Sequence, residues 1–358
     1  MIKNIQYLRF LAAALVVIAH SNLQIYGIEG KTTNLGGFGV DIFFIISGFI
    51  MPYIIYGGLY KPGISATMSA PGFLWRRFTR IWPMYFITIS VVILISYMVS
   101  SGKIPNVTAD LAYIFNMSKA DPMWVLQTLT FTHWNKPPLL GIGWTLQVEF
   151  MFYASIAAVL FFRIKTFEGL ETGILIFFFA AILLSKKSEV AYAFANPMII
   201  EFMLGFFLYR IISNGVLLEK RTSMIVLIGV LPAVIAIELS GAIPLTGALY
   251  RPVAWGLPAF LMTWAAISLE SVTPPSKSLA LLGDASYSLY LTHGFVSPVF
   301  VFFWVSTELF QVVPWWIYLP VYFAICQSIG LIAHLYIEKP LNTLIRKTFR
   351  TRNKCVTA

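Results

Sequence analysis

The sequence predicts an all-α polytopic integral membrane protein of about ten transmembrane helices, with both termini cytoplasmic. Three observations carry this. Hydrophobic residues make up 58% of the 358 positions and charged residues only 11%, whereas a soluble chain carries roughly a quarter. Apolar runs near the length of about 20 residues that a membrane crossing requires recur along the whole chain. The cations also segregate between alternate loops, as the positive-inside pattern demands.

The apolar runs are 5–25, 37–57, 83–101, 142–162, 169–185, 194–212, 223–242, 251–269, 285–305 and 313–336. The first, containing "FLAAALVVIAHS", also resembles a signal peptide, with Lys3 and Arg9 ahead of Leu11–Ile18, but its cleavage site would be imperfect. Pro232, Pro258 and Pro298 fall inside later runs and predict kinks that neighbouring helices accommodate. With the N-terminus inside, roughly eighteen of the 25 Lys and Arg lie on or near the cytoplasmic side. Lys31, Lys103, Lys119, Lys136, Lys186, Lys187 and Arg251 remain outside, and an even helix count returns the C-terminus to the cytoplasm. The net charge of +10 is therefore topological and gives no support for nucleic-acid binding. The longest outer loop, about 102–141, contains "MWVLQTLTF", too short to span, and glycosylation sequons at Asn106 and Asn116. No internal repeat stands out.

Two cysteines, Cys326 and Cys355, build neither a disulfide framework nor a zinc site. His20, His133, His293 and His334 have no metal-ligand spacing, so no metal site is predicted. Chemistry is sought instead among ionisable groups in apolar surroundings, because such groups are costly there and face a bundle interior or wet cavity. Arg9 and His20 lie eleven residues apart, on nearly one helical face and about 16 Å along the axis. On spacing alone, a histidine that bridges helices and a catalytic one stand equal. Asp41, in "GGFGVDIFFIISGF", falls at a similar depth, as either a helix cap or the carboxylate that fixes an imidazole's tautomer. Gly36, Gly37, Gly39 and Gly48 would let backbones approach. Glu149, in "GWTLQVEFMFY", is a third group at that level, a partner for His20 or a structural hydrogen bonder.

On the opposite side, Arg76, Arg77 and Arg80 of "WRRFTRIWPMY" would share a face if helical. Three guanidiniums make a phosphate receptor, since each can fork onto two oxygens; positive-inside topology alone also places arginines there. Asp284, Ser286, Ser288 and His293 form a polar stripe in "DASYSLYLTHGF", and Glu338 and Lys339 end a helix before Pro340. An anionic donor with a long arm reaching from the arginines to a base near the outer face would use this layout, and acyl-CoA has that shape.

The ordered set "LRFLAAALVVIAH", "GVDIFFIISGFIM", "RRFTRIWPMY", "WTLQVEFMFY" and "SYSLYLTHGF" resembles the membrane-bound acyltransferase 3 family, and within it bacterial exopolysaccharide O-acetyltransferases. The resemblance covers nearly the whole chain. It implies transfer of an acyl group, acetyl first, from cytoplasmic acyl-CoA to a hydroxyl of a polysaccharide or lipid-linked oligosaccharide at the bacterial inner membrane. It implies His20 as the essential histidine, Arg9 as its paired arginine and Glu149 as the acid of the Trp-Thr-Leu-x2-Glu motif; by their shared depth, Asp41 or Glu149 would orient His20 as the base. Arg77 and Arg80 match the arginine motif that holds the CoA phosphates, and with Arg76 and Arg9, placed by spacing, they would bind the donor, with no tightly bound cofactor and no metal expected. Many relatives place a second acid after the position of Glu149, where this chain has Phe150. Many append a hydrolase-like domain; here 1–338 is expected to be the transmembrane acyltransferase domain and 339–358 a basic tail, so the membrane domain would acylate alone or with a separate protein. A transporter or flippase for a lipid-linked sugar is the competing class, and a polytopic scaffold the third. Acceptor sugar and oligomeric state are not legible.

Overall fold

A computed structural model describes residues 2–28, 35–103, 121–134, 136–240, 249–345 and 347. Both sequons and the end of the basic tail lie outside these. The chain is all helical in its long elements and divides into two compact units, Met1–Phe73 with Thr145–Asp284, and Leu74–Trp144 with Ala285–Ala358.

The first unit contains α1 (Lys3–Ala19), α2 (Phe38–Ile55), α5 (Trp144–Phe161), α6 (Phe167–Leu184), α7 (Glu189–Phe194), α8 (Ile199–Ser213), α9 (Lys220–Ser240), α10 (Leu257–Ser268) and α11 (Lys277–Asp284). The second contains most of α3 (Ala70–Ser100), then α4 (Pro122–Leu129), α12 (Ser286–Ser306), α13 (Leu309–Val312) and α14 (Trp315–Ala333). Single π-turns lead into α10 (Pro252–Gly256) and follow α14 (His334–Glu338).

Among the described residues seven helices, not about ten, are long and apolar enough to cross a membrane: Phe38–Ile55, Ala70–Ser100, Gly141–Phe161, Phe167–Leu184, Lys220–Ser240, Ser286–Ser306 and Trp315–Ile345. Three expected spans fall short for local reasons. α1 has 17 residues, because the Ser21 hydroxyl turns back onto the Ile18 carbonyl and Asn22 takes the left-handed region at φ 54°. α8 has 15, bounded by Pro197 and by Gly215 at φ +78°. The run expected at 251–269 becomes Pro252–Ser268, closed by the charged Arg251 and Glu270, with Pro258 in the first turn of α10 rather than kinking a helix interior. The even count that placed both termini on one side therefore loses its premise.

In the first unit, α2 packs on α1, α8 and α10. Small residues set the closest approaches, as the glycine-rich run suggested. A Cβ on Gly48 would collide with the Phe202 carbonyl, and one on Gly205 with that of Ile45. Gly36 lies against Ala19 and Leu15, and Gly39 against Ala12, so the start of α2 abuts the His20 end of α1. Phe44, Phe152, Phe202 and Phe206 fill the space between. In the second unit α12 packs on α14, with Gly330 against Leu289. Tyr287 and Tyr290 donate to the carbonyls of Ile81 and Ile142 at 2.7 and 2.8 Å.

Candidate functional site

His20 caps α1, and its Nδ1 lies 2.8 Å from the Val16 carbonyl. A carbonyl oxygen only accepts, so Nδ1 carries the proton and the neutral ring has its lone pair on Nε2. The main chain thus sets the tautomer of this imidazole. Arg9, two turns into the same helix and half-buried, donates to Gln6 Oε1 at 3.4 Å.

Neither expected carboxylate hydrogen-bonds to this imidazole. Asp41, fully buried, takes a forked pair from Arg251, Nε to Oδ1 at 3.0 Å and Nη2 to Oδ2 at 2.9 Å. Nη2 also reaches the Gly37 carbonyl at 3.0 Å, and the guanidinium lies 5.0 Å from the centre of the Trp255 ring. Fully buried Glu201 stands beside the pair. Glu149 Oε1 accepts from Ser47 Oγ at 2.9 Å and from the Tyr153 hydroxyl. Both bonds fall on Oε1; among the described residues Oε2 has no protein donor.

In the second unit, Arg76, Arg77 and Arg80 lie on α3, which begins well ahead of the expected 83 and makes the arginine run helical. They do not share one environment. Arg76 is exposed, Arg80 half-buried and Arg77 buried. Trp75, Phe78, Trp82 and Phe86 stack successively along the same helix, their ring centres 4.9–6.0 Å apart. Of the polar stripe, Asp284 is exposed, whereas Ser288 donates to Glu338 Oε2 at 2.6 Å. That oxygen also meets His334 Nδ1 at 2.8 Å across the π-turn, a carboxylate shared by a hydroxyl and an imidazole. His133, between α4 and α5, is buried, and burial pushes its imidazole down to about 4.

Sequence reasoning placed Arg251 in an outer loop as one cation among several, and did not single out Glu201, Ser47 or Tyr153. Two of these had a signal. Tyr153 follows Glu149 by four residues, one helical turn. A carboxylate at Asp41 inside an apolar helix required a cationic or donor partner. Among the described residues no three His, Cys, Asp or Glu side chains converge so as to hold a metal ion.

Seven long apolar helices among the described residues define an integral membrane protein. Residues 2–334 match the family model described as an acyltransferase domain. The chain therefore belongs to the acyltransferase 3 family and is a membrane acyltransferase acting on groups other than aminoacyl. It is 29% identical over 284 residues to the exopolysaccharide production protein ExoZ of Rhizobium meliloti, covering 75% of this chain and 79% of that one. It is 29% identical over 168 residues to nodulation protein 10 of Rhizobium leguminosarum bv. viciae, 44% of each chain. Peptidoglycan O-acetyltransferase OatA of Listeria monocytogenes is 29% identical over 156 residues, 42% of this chain and 23% of that one. The family and these relatives make the chain kin to glycan O-acetyltransferases of the bacterial envelope. No solved structure matches.

Proposed function

We propose that the protein moves an acyl group, acetyl first, from acyl-CoA to a hydroxyl of a cell-surface or lipid-linked glycan at the bacterial cytoplasmic membrane. The observation that carries this reading is the His20 tautomer set by Val16. Nε2 takes the proton of the acceptor hydroxyl as its oxygen attacks the thioester carbonyl. The tetrahedral intermediate collapses, the C–S bond breaks, and the proton passes to the departing CoA sulfur, leaving His20 neutral. A positioned base of this kind contributes about 10²–10⁴-fold, and holding the two substrates in register supplies much of the remainder.

Glu149 serves through Oε2, an acceptor for the glycan hydroxyl, while Ser47 and Tyr153 hold its carboxylate from the other side. Asp41 acts through Arg251, fixing the start of α2 beside Ala19 and hence beside His20. Arg9, Arg76, Arg77 and Arg80 bind the donor, whose phosphates suit forked guanidinium contacts. Residues 1–338 form the transferase domain and 339–358 a basic extension.

The test is transfer of label from radiolabelled acetyl-CoA to a lipid-linked glycan extract by protein in nanodiscs. Wild type labels the glycan, His20→Ala at matched folding does not, and Arg77→Ala needs more acetyl-CoA to reach the same rate. Normal turnover by His20→Ala refutes the base. Absence of transfer by wild type with every short acyl donor, alongside movement of lipid-linked sugar across the bilayer, establishes a flippase instead.

A further inference from the structure

The helix that carries both Arg9 and His20 starts without a cap of its own. The first four N–H groups of a helix have no intrahelical partner. Ile2, at the cap position with extended φ −70° and ψ 115°, offers no acceptor, and the first turn of α1 holds no acid. The missing acceptors arrive from far along the chain. Glu270, just after α10, receives Lys3 N on Oε1 and Asn4 N on Oε2, both at 2.9 Å. Its surroundings reinforce the grip. Asn4 Nδ2 donates to the Ala266 carbonyl at 2.8 Å and to Thr273 Oγ1 at 2.9 Å. Ser276 N donates to the Tyr7 hydroxyl at 2.7 Å, and Gly283 of α11 lies flush against Gln6.

We propose that Glu270 is a positioning residue for acyl transfer, setting the axial register and rotation of α1 and so the places of Arg9 and His20. The inference rests on the function proposed above. Two oxygens on the N–H groups of two successive residues constrain both height and rotation, which a single contact would not. A carboxylate there also opposes the positive end of the helix dipole, and bonds to an ionised acceptor are the stronger kind. Each residue of slip moves a helix by about 1.5 Å and turns it by about 100°. Misplacement of a reacting group by about 1 Å can cost about 10²-fold in rate, so the far end of α1 is sensitive to how its near end is held.

The experiment separates positioning from stability. Glu270→Ala removes the cap from the partner segment, and Ile2→Asp added to it restores a cap within α1 itself, because Asp at an extended cap position accepts from the first turn. The expected result is a fall in kcat of about tenfold in Glu270→Ala, with thermal stability recovered in the double variant and kcat not recovered. Recovery of kcat together with stability, or wild-type kcat in Glu270→Ala, overturns the proposal. A second readout does not depend on turnover. In a Cys355→Ser background, the rate at which a water-soluble maleimide labels His20→Cys should change severalfold on adding Glu270→Ala. An unchanged labelling rate overturns the proposal even if kcat falls. A changed rate in a protein whose wild type transfers no acyl group upholds the positioning and refutes the function.

Discussion

Removing Arg251 should be far more damaging than removing a surface cation, and the losses from removing Arg251 and its partner Asp41 should fall short of additive. Its side chain is one-quarter exposed and that of Asp41 not at all. Arg251→Met deletes two hydrogen bonds to Asp41 and one to the Gly37 carbonyl, and leaves Asp41 buried without its counter-charge. Breaking a buried pair on one side costs about 3–5 kcal/mol; partial exposure of the guanidinium places this one at the low end, about 3 kcal/mol. Asp41→Asn with Arg251→Met strands no charge at that pair, so the two losses should fall short of additive by about 2 kcal/mol. The assay is a double-mutant cycle of unfolding free energy in mixed micelles, with turnover measured alongside. If Asp41 worked by touching His20, Asp41→Asn would abolish turnover while Arg251→Met spared it. The structure requires both to lower turnover together, because both release the start of α2 from its place beside Ala19. Additive losses, or a stable and active Arg251→Met, refute the reasoning.

Three further outcomes are expected. Glu149→Gln should lower kcat by about 10²-fold, whereas Tyr153→Phe, which leaves Ser47 on the same oxygen, should lower it by less than about tenfold when both are assayed at saturating donor. His133 is held neutral down to about 4 in the fold but titrates near 6.5 when unfolded. The unfolded chain therefore binds the extra proton, and stability falls by up to about 3 kcal/mol as pH drops from 6.5 toward 4; unfolding followed against pH should show this slope weakened in His133→Asn. Gly48→Ala, forced against the Phe202 carbonyl, should destabilise by about 1–3 kcal/mol, while Gly229→Ala, with open space around its Cβ, should be neutral or stabilising by up to about 1 kcal/mol in the same unfolding assay.

The helical class was legible because apolar length is a property of the chain alone. The number of long helices was not, because helix ends depend on local partners. "VVIAHSNLQ" reads as a continuing apolar run, yet Ser21 bonds back to Ile18 and Asn22 turns left-handed. The run that opens at Arg251 looks long enough by composition, but its first residues form a π-turn around the guanidinium that serves Asp41. Spacing showed that the arginines would share a face if helical, but not that the helix begins at Ala70, and the burial of Arg77 against the exposure of Arg76 depends on packing that spacing does not encode.

The same distinction explains the carboxylates. A sequence shows that Asp41 and Glu149 are costly in apolar surroundings and so require partners; it does not show which partner, because candidates of equal depth are equally plausible. His20 looked like the partner for both since it was the nearest ionisable group by depth. The fold satisfies each need separately. Asp41 receives a full charge from Arg251, 210 residues away, Glu149 receives hydroxyls, and the Nδ1 of His20 meets a neutral main-chain carbonyl. That last choice has a chemical consequence. A carboxylate on Nδ1 would raise the basicity of the ring and stabilise the imidazolium, slowing return of the proton to the leaving group. A carbonyl fixes the tautomer with a weaker pull. In the role proposed for His20, taking a proton from a hydroxyl and then surrendering it to a thiolate within one turnover, the weaker partner suits both steps.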